Sequence, residues 1–139
     1  MKLNDFVSLV ELKKIANDKG DIYRALKSSE NCYHGFGEGY FTNIHSGEIK
    51  GWKKHNRMVL NLIVPVGRVR FYIHYEQTGE TQCYEIGLES YSRLTIQPGV
   101  WVAFEGLSSE TSLILNLASI EHDPNESENL ELGSIKLKV

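Results

Sequence analysis

Basic side chains crowd one short stretch of this chain. Gly47-Glu-Ile-Lys-Gly-Trp-Lys-Lys-His-Asn-Arg57 carries Lys50, Lys53, Lys54, His55 and Arg57, and it runs straight into the β-prone segment Met58 to Ile73. Cations held at the margin of a sheet suit phosphate oxygens, which Lys meets as a point charge and Arg meets with a planar fork. In an extended segment, side chains two apart share a face, so Lys53, His55 and Arg57 are expected together. Lys50 and Arg57 are the expected phosphate contacts. Lys53 and His55 form the expected reactive pair. Either the neutral amine of Lys53 accepts a proton, or His55 does so while Lys53 holds the developing anion.

Other residues stand out by type. Glu38 lies in Gly35-Phe-Gly-Glu-Gly, where it could bind a ligand hydroxyl or orient His55. Asn61 interrupts an apolar run, which suits either a ligand-facing interior or one buried hydrogen bond. Trp101, with Tyr40, Phe41, Trp52 and Tyr72, could stack on a nucleobase, although most aromatic residues of a β-fold belong to its core. The glycines near Glu38 are not followed by Lys-Ser/Thr, so no phosphate loop is indicated. No nucleophile elbow is present. His55 lacks the companion donors that a metal site needs, so no metal and no cofactor are expected.

The elements that position these residues read as strands. Arg68 to Tyr75 alternates Val69, Phe71 and Ile73 against Arg68, Arg70, Tyr72 and His74, the period of a strand with one apolar face. Strands are also expected at Gly35–Ile44, Val59–Val66, Cys83–Ile86, Ser92–Ile96, Val100–Phe104 and Ser112–Ala118. Turns are marked at Asn17–Gly20, Ser46-Gly47, Thr78-Gly79-Glu80 and Pro98-Gly99. Asp21–Leu26 fits a strand or a short helix equally. Asp123–Asn129 reads as a polar loop or tail. Short strands at roughly ten-residue spacing predict an all-β sandwich or barrel.

The whole chain sets bounds. Its 139 residues suit one domain spanning 1–139, with a polar C-terminal tail from about residue 123, and 41% hydrophobic content suffices for a core. A net charge of −3 argues against nucleic acid as partner and leaves the basic cluster as a local feature for a small anion. Cys32 and Cys83 are far apart and read as structural, which fits a reduced, cytoplasmic setting. No signal peptide or membrane span is visible.

In combination these pieces resemble the dTDP-4-dehydrorhamnose 3,5-epimerase class of cupins and, less closely, the sugar 3,4-ketoisomerases of the same fold. The resemblance runs from about Leu12 to about Asp123. It is carried by Lys19-Gly-Asp-Ile-Tyr, Gly37-Glu-Gly-Tyr-Phe, Gly47 to His55, Val64-Pro-Val-Gly-Arg and Ile96-Gln-Pro-Gly-Val-Trp-Val-Ala-Phe104. It implies a cupin jelly roll, a pocket for a dTDP-type nucleotide-diphospho sugar, a homodimer, and proton abstraction beside the ketone of a 4-keto-6-deoxy sugar in polysaccharide assembly. The chain also departs from that pattern. Lys53 stands where the resemblance implies a basic His, Val102 where a polar residue is common, and Asn116 near the position of the acidic Tyr. The alternative implied by these departures is a non-catalytic sugar-nucleotide-binding cupin.

Overall fold

The computed structural model describes Met1–Val139. Its strands are β1 (Val7–Glu11), β2 (Lys14–Ile15), β3 (Ile22–Tyr23), β4 (Glu38–Ile44), β5 (Ile49–His55), β6 (Leu60–Val66), β7 (Arg68–Tyr75), β8 (Glu80–Gly87), β9 (Ser92–Ile96), β10 (Trp101–Gly106), β11 (Ser112–Ala118) and β12 (Ser127–Asn129). There is no α-helix, only 3₁₀ turns at Leu3–Phe6 and Leu132–Ser134. Two five-stranded antiparallel sheets face each other, in the orders β1-β9-β6-β11-β4 and β12-β5-β10-β7-β8. The chain crosses repeatedly between sheets, which gives the jelly roll that the family resemblance implies.

Alternation explains the layers. Leu60, Leu62 and Val64 of β6 meet Val69, Phe71 and Ile73 of β7 in one continuous core. Burying each such side chain stabilises by roughly 1.5–3 kcal/mol, whereas strand propensities span only about 1 kcal/mol. Register is therefore set by which face is apolar. Arg70 and Tyr72, on the other face of β7, bond to Glu85 and Glu105. The β6–β7 turn needs Gly67, whose φ is +86° and whose position leaves no room for a Cβ beside Ser112.

The first sheet's outer face is partly covered by residues 12–33. Leu12, Ile63 and Tyr91 pack there, and the stretch left open between strand and helix contains β3, a two-residue strand paired with β2. The second sheet's outer face is covered by the C-terminal segment. Ile135 and Leu137 pack on Trp52, Tyr72, Trp101 and Ala103, and the Trp52 indole donates to the Leu132 carbonyl at 3.1 Å. The polar stretch expected as a loop or tail thus contains β12, which extends the second sheet along the edge of β5.

Candidate active site

A cavity of about 320 Å³ opens between the two sheets. Its apolar lining includes Leu60, Leu62, Phe71 and Ile114, and its polar groups include Tyr40, Thr42 and Asn116 from the first sheet and Lys50, Lys53 and His55 from the second. His122 and Ser127 reach it from the C-terminal segment.

A bulge decides which cations enter. Val102 of β10 pairs with Lys53, but Phe104 pairs with Lys50, so the register slips between them. The extra residue of β5 reverses the parity of the strand. Lys50 therefore joins Lys53 and His55 on the cavity side, while Trp52 stays on the outer face. Lys50 Nζ donates to the Asn43 carbonyl at 2.8 Å and lies 5.8 Å from the Phe104 ring centre. Lys53 is exposed at the mouth.

His55 is held by Glu126. Its Nδ1 bonds the Glu126 Oε1 carboxylate oxygen, and Glu126 is 4% exposed. The other oxygen, Oε2, accepts the backbone N–H groups of Asn56, Arg57 and Met58 at 3.2, 3.0 and 3.2 Å. Burial works against the charge of Glu126, but the His55 bond and these backbone donors outweigh it and hold the carboxyl below its ordinary range. An ionised acceptor fixes the Nδ1–H tautomer of His55 and leaves Nε2 free to take a proton. The tail supplies this carboxylate from 71 residues away in sequence, a distance that no local motif marks.

Across the cavity, β4 and β11 place Tyr40 opposite Asn116. Asn116 Oδ1 accepts the backbone N–H of Asn61 at 3.0 Å, and Asn116 Nδ2 donates to the Tyr40 hydroxyl at 2.9 Å. Burial pushes the Tyr40 phenol above its ordinary value, against the pull of the Asn116 bond. Sequence reasoning weighed Tyr40 only as a stacking residue. The signal for Asn116 was the same as for Asn61, an amide interrupting an apolar strand.

Several expected site residues lie elsewhere. Arg57 does not share the face of Lys53 and His55, because β5 ends at His55. Its guanidinium turns outward to Asp123 at 2.9 Å, where both side chains are largely exposed. Asn61 does not line the cavity. Its side chain faces the outer surface of its sheet, accepts the Thr95 hydroxyl at 2.6 Å and reaches the Cys32 carbonyl at 3.4 Å. Trp101 also points outward, into the cluster beneath the C-terminal segment, because Val102 and Phe104 take the inward positions of β10. Glu38 sits at the start of β4 and accepts the His122 N–H at 2.9 Å, so it steadies a cavity-lining loop.

No protein-family model matches the chain. Among solved structures, a dTDP sugar isomerase from Desulfovibrio desulfuricans G20 superimposes with a TM-score of 0.90 at 26% identity, over 95% of this chain and 89% of that one. QdtA, a sugar 3,4-ketoisomerase from Thermoanaerobacterium thermosaccharolyticum solved in complex with TDP, shares the fold with a TM-score of 0.75 at 21% identity, over 88% of this chain and 86% of that one. The fold is shared as well with 4-keto-6-deoxy-sugar epimerases. The class is thus a cupin-type jelly roll of the kind found in dTDP-sugar isomerases and epimerases, as the sequence resemblance implies. In sequence, the chain is also 22% identical over 127 residues to the spore coat polysaccharide biosynthesis protein SpsL of Bacillus subtilis (strain 168), covering 88% of this chain and 84% of that protein.

Proposed function

We propose that this protein is an isomerase or epimerase of nucleotide-diphospho-4-keto-6-deoxy sugars, serving polysaccharide biosynthesis. The observation that carries the reading is the His55–Glu126 pair inside a cavity whose polar mouth holds Lys50 and Lys53. His55 Nε2 removes the proton from the carbon beside the sugar ketone. The electron pair moves onto the ketone oxygen, where the Lys53 ammonium donates to the anion. Glu126 stays ionised, keeps the ring oriented and offsets the charge His55 acquires. Lys50, at the mouth beside Phe104, meets the diphosphate. His55 is preferred over Lys53 as base because it has a buried orienting partner, whereas Lys53 is exposed at the cavity mouth. We assign dTDP-type nucleotides as ligands, a cytoplasmic location and a homodimer. The exposed Phe41 and Val66 on the outer face of the first sheet are suited to pairing two copies, and a monomeric mass by light scattering at micromolar concentration would remove that assignment.

The test is solvent-deuterium exchange with TDP-4-keto-6-deoxyglucose followed by NMR. The wild type should incorporate deuterium at a ring carbon beside the ketone, and His55→Gln should slow this at least about 10²-fold. Exchange at the wild-type rate in His55→Gln would refute the base assignment. The lysine at position 53, where the resembling epimerases place a His, favours one competing reading, a pocket that binds without reacting. Binding of the sugar nucleotide with no exchange in the wild type would select it.

A further inference from the structure

We infer that the C-terminal segment, residues 127–139, is a positioning strap for the site: docked along β5, it holds the bulge and Glu126 in place, so that turnover depends on it while the core does not. The inference rests on the proton-abstraction reading above.

β5 pairs with β10 on one side and with β12 alone on the other. Without β12 it would be an edge strand, its outer N–H and C=O groups unpaired. Ser127, Glu128 and Asn129 pair with His55, Lys54 and Lys53, and the Lys54 ammonium lies 3.4 Å from the Glu128 carboxylate. The contact then runs onto the bulge itself. The Leu130 N–H donates to the Trp52 carbonyl at 3.0 Å, and the Trp52 indole donates back to the Leu132 carbonyl at 3.1 Å. Gly51 lies directly beneath, where a Cβ would come within 3.4 Å of the Leu132 nitrogen. Gly51 and Trp52 together oppose one residue of β10, Ala103. A bulge leaves its extra residue unpaired in the ladder, and here the strap grips it from the other side. Lys50 and Lys53 flank this pair and owe their shared inward direction to it.

The strap also carries the partner of His55. Glu126 immediately precedes β12, and its backbone carbonyl accepts the Asn56 N–H at 2.7 Å while its carboxylate holds the imidazole. A displacement of β12 along β5 therefore moves the carboxylate with it. The far end of the strap is anchored by apolar side chains. Ile135 and Leu137 alternate with exposed Lys136 and Lys138 and pack on Trp52, Tyr72, Trp101 and Ala103. The Trp101 indole N–H in this cluster is buried without an acceptor, which offsets part of what the apolar contact contributes. The main core between the sheets draws no residue from beyond Ile120, so the strap can loosen without opening it.

The experiment compares full-length wild type, Leu137→Ser and the double variant Ile135→Ser/Leu137→Ser, with Lys136→Ser as a control that leaves the apolar contacts in place. The readouts are the nitrogen NMR signature of the His55 imidazole, dTDP affinity, and the kcat for deuterium exchange into TDP-4-keto-6-deoxyglucose. The double variant should still unfold cooperatively on heating. It should lose the single Nδ1–H tautomer, bind dTDP more weakly and exchange about 10²-fold more slowly, the cost of a displacement of about 1 Å at a reacting group. Leu137→Ser should move the same readouts by less, and Lys136→Ser should move none. In a Glu126→Gln background the double substitution should slow exchange by less than it does in the wild type, because part of its action passes through that carboxylate. Wild-type tautomer and exchange in the double variant overturn the inference, as does an equal further loss on top of Glu126→Gln, or a double variant with no cooperative transition. A wild type that exchanges nothing removes the catalytic reading by itself. The strap is then judged on the His55 signature and dTDP affinity of the double variant, and both unchanged would overturn it.

Discussion

Glu126 does two jobs with its two oxygens, and they can be separated by measurement. One oxygen orients His55, and the other gathers three consecutive backbone N–H groups at the turn after β5. Because the folded state holds its carboxyl below the reference value of 4.5, the unfolded chain binds this proton more readily than the folded one. The stability it contributes is complete above about pH 4.5 and is lost as pH falls through the lower folded value. Glu126→Gln keeps the shape but loses the charge, so it should destabilise by about 2 kcal/mol at pH 7, the scale of hydrogen bonds to a charged group. The gap between variant and wild type should narrow as the medium is acidified below pH 4.5. Urea unfolding at neutral and acid pH measures both quantities, and a gap independent of pH would contradict the assignment of an ionised Glu126. Ring-proton exchange should fall in the same variant, since the imidazole loses its ionised acceptor.

At the scale of elements, much was legible because its signal is local. The alternation of Val69, Phe71 and Ile73 gave β7 its bounds and its faces, and Ser112–Ala118 appears unchanged as β11. The cluster of cations, Lys50 included, was legible as a candidate ligand-facing group, but the placement of its members was not. Two irregularities changed it, the bulge that turns Lys50 inward and the end of β5 that releases Arg57 outward. Both depend on how β5 pairs with β10, and pairing is a long-range property that alternation along one strand does not contain. Glu126 was invisible for a related reason. Asp123–Asn129 is polar because most of it is exposed, and only docking of β12 onto β5 buries that one carboxylate. Asn61 and Asn116 look alike in sequence, each an amide among apolar neighbours. Their strands turn them to opposite faces, so Asn116 lines the cavity while Asn61 lies under the outer covering segment. Gly37 shows the same limit. In sequence it is one glycine of the expected strand Gly35–Ile44, yet it serves a close crossing, since a Cβ there would lie 2.1 Å from the Ile120 carbonyl carbon.

For the whole molecule the informative quantity is the contrast between a net charge of −3 and a cavity mouth carrying Lys50 and Lys53. An anionic ligand is drawn to that mouth and repelled by much of the remaining surface, so binding should weaken as salt rises. A ligand that binds only the folded state stabilises it by mass action. At a hundredfold excess over Kd the gain is about 2.7 kcal/mol, which for a domain of this size raises Tm by about 8 °C. Free dTDP is the direct probe, because it carries the diphosphate without the reacting sugar. Lys50→Ala should lose most of this shift at the same dTDP concentration. Arg57→Ala should keep it, since Arg57 is already turned to Asp123 outside the cavity. Thermal melts of the three proteins, with and without dTDP at low and moderate salt, decide between the two positions. If the shift vanishes in Arg57→Ala and persists in Lys50→Ala, the diphosphate sits at the outer margin of β5 and not at the mouth that the bulge creates.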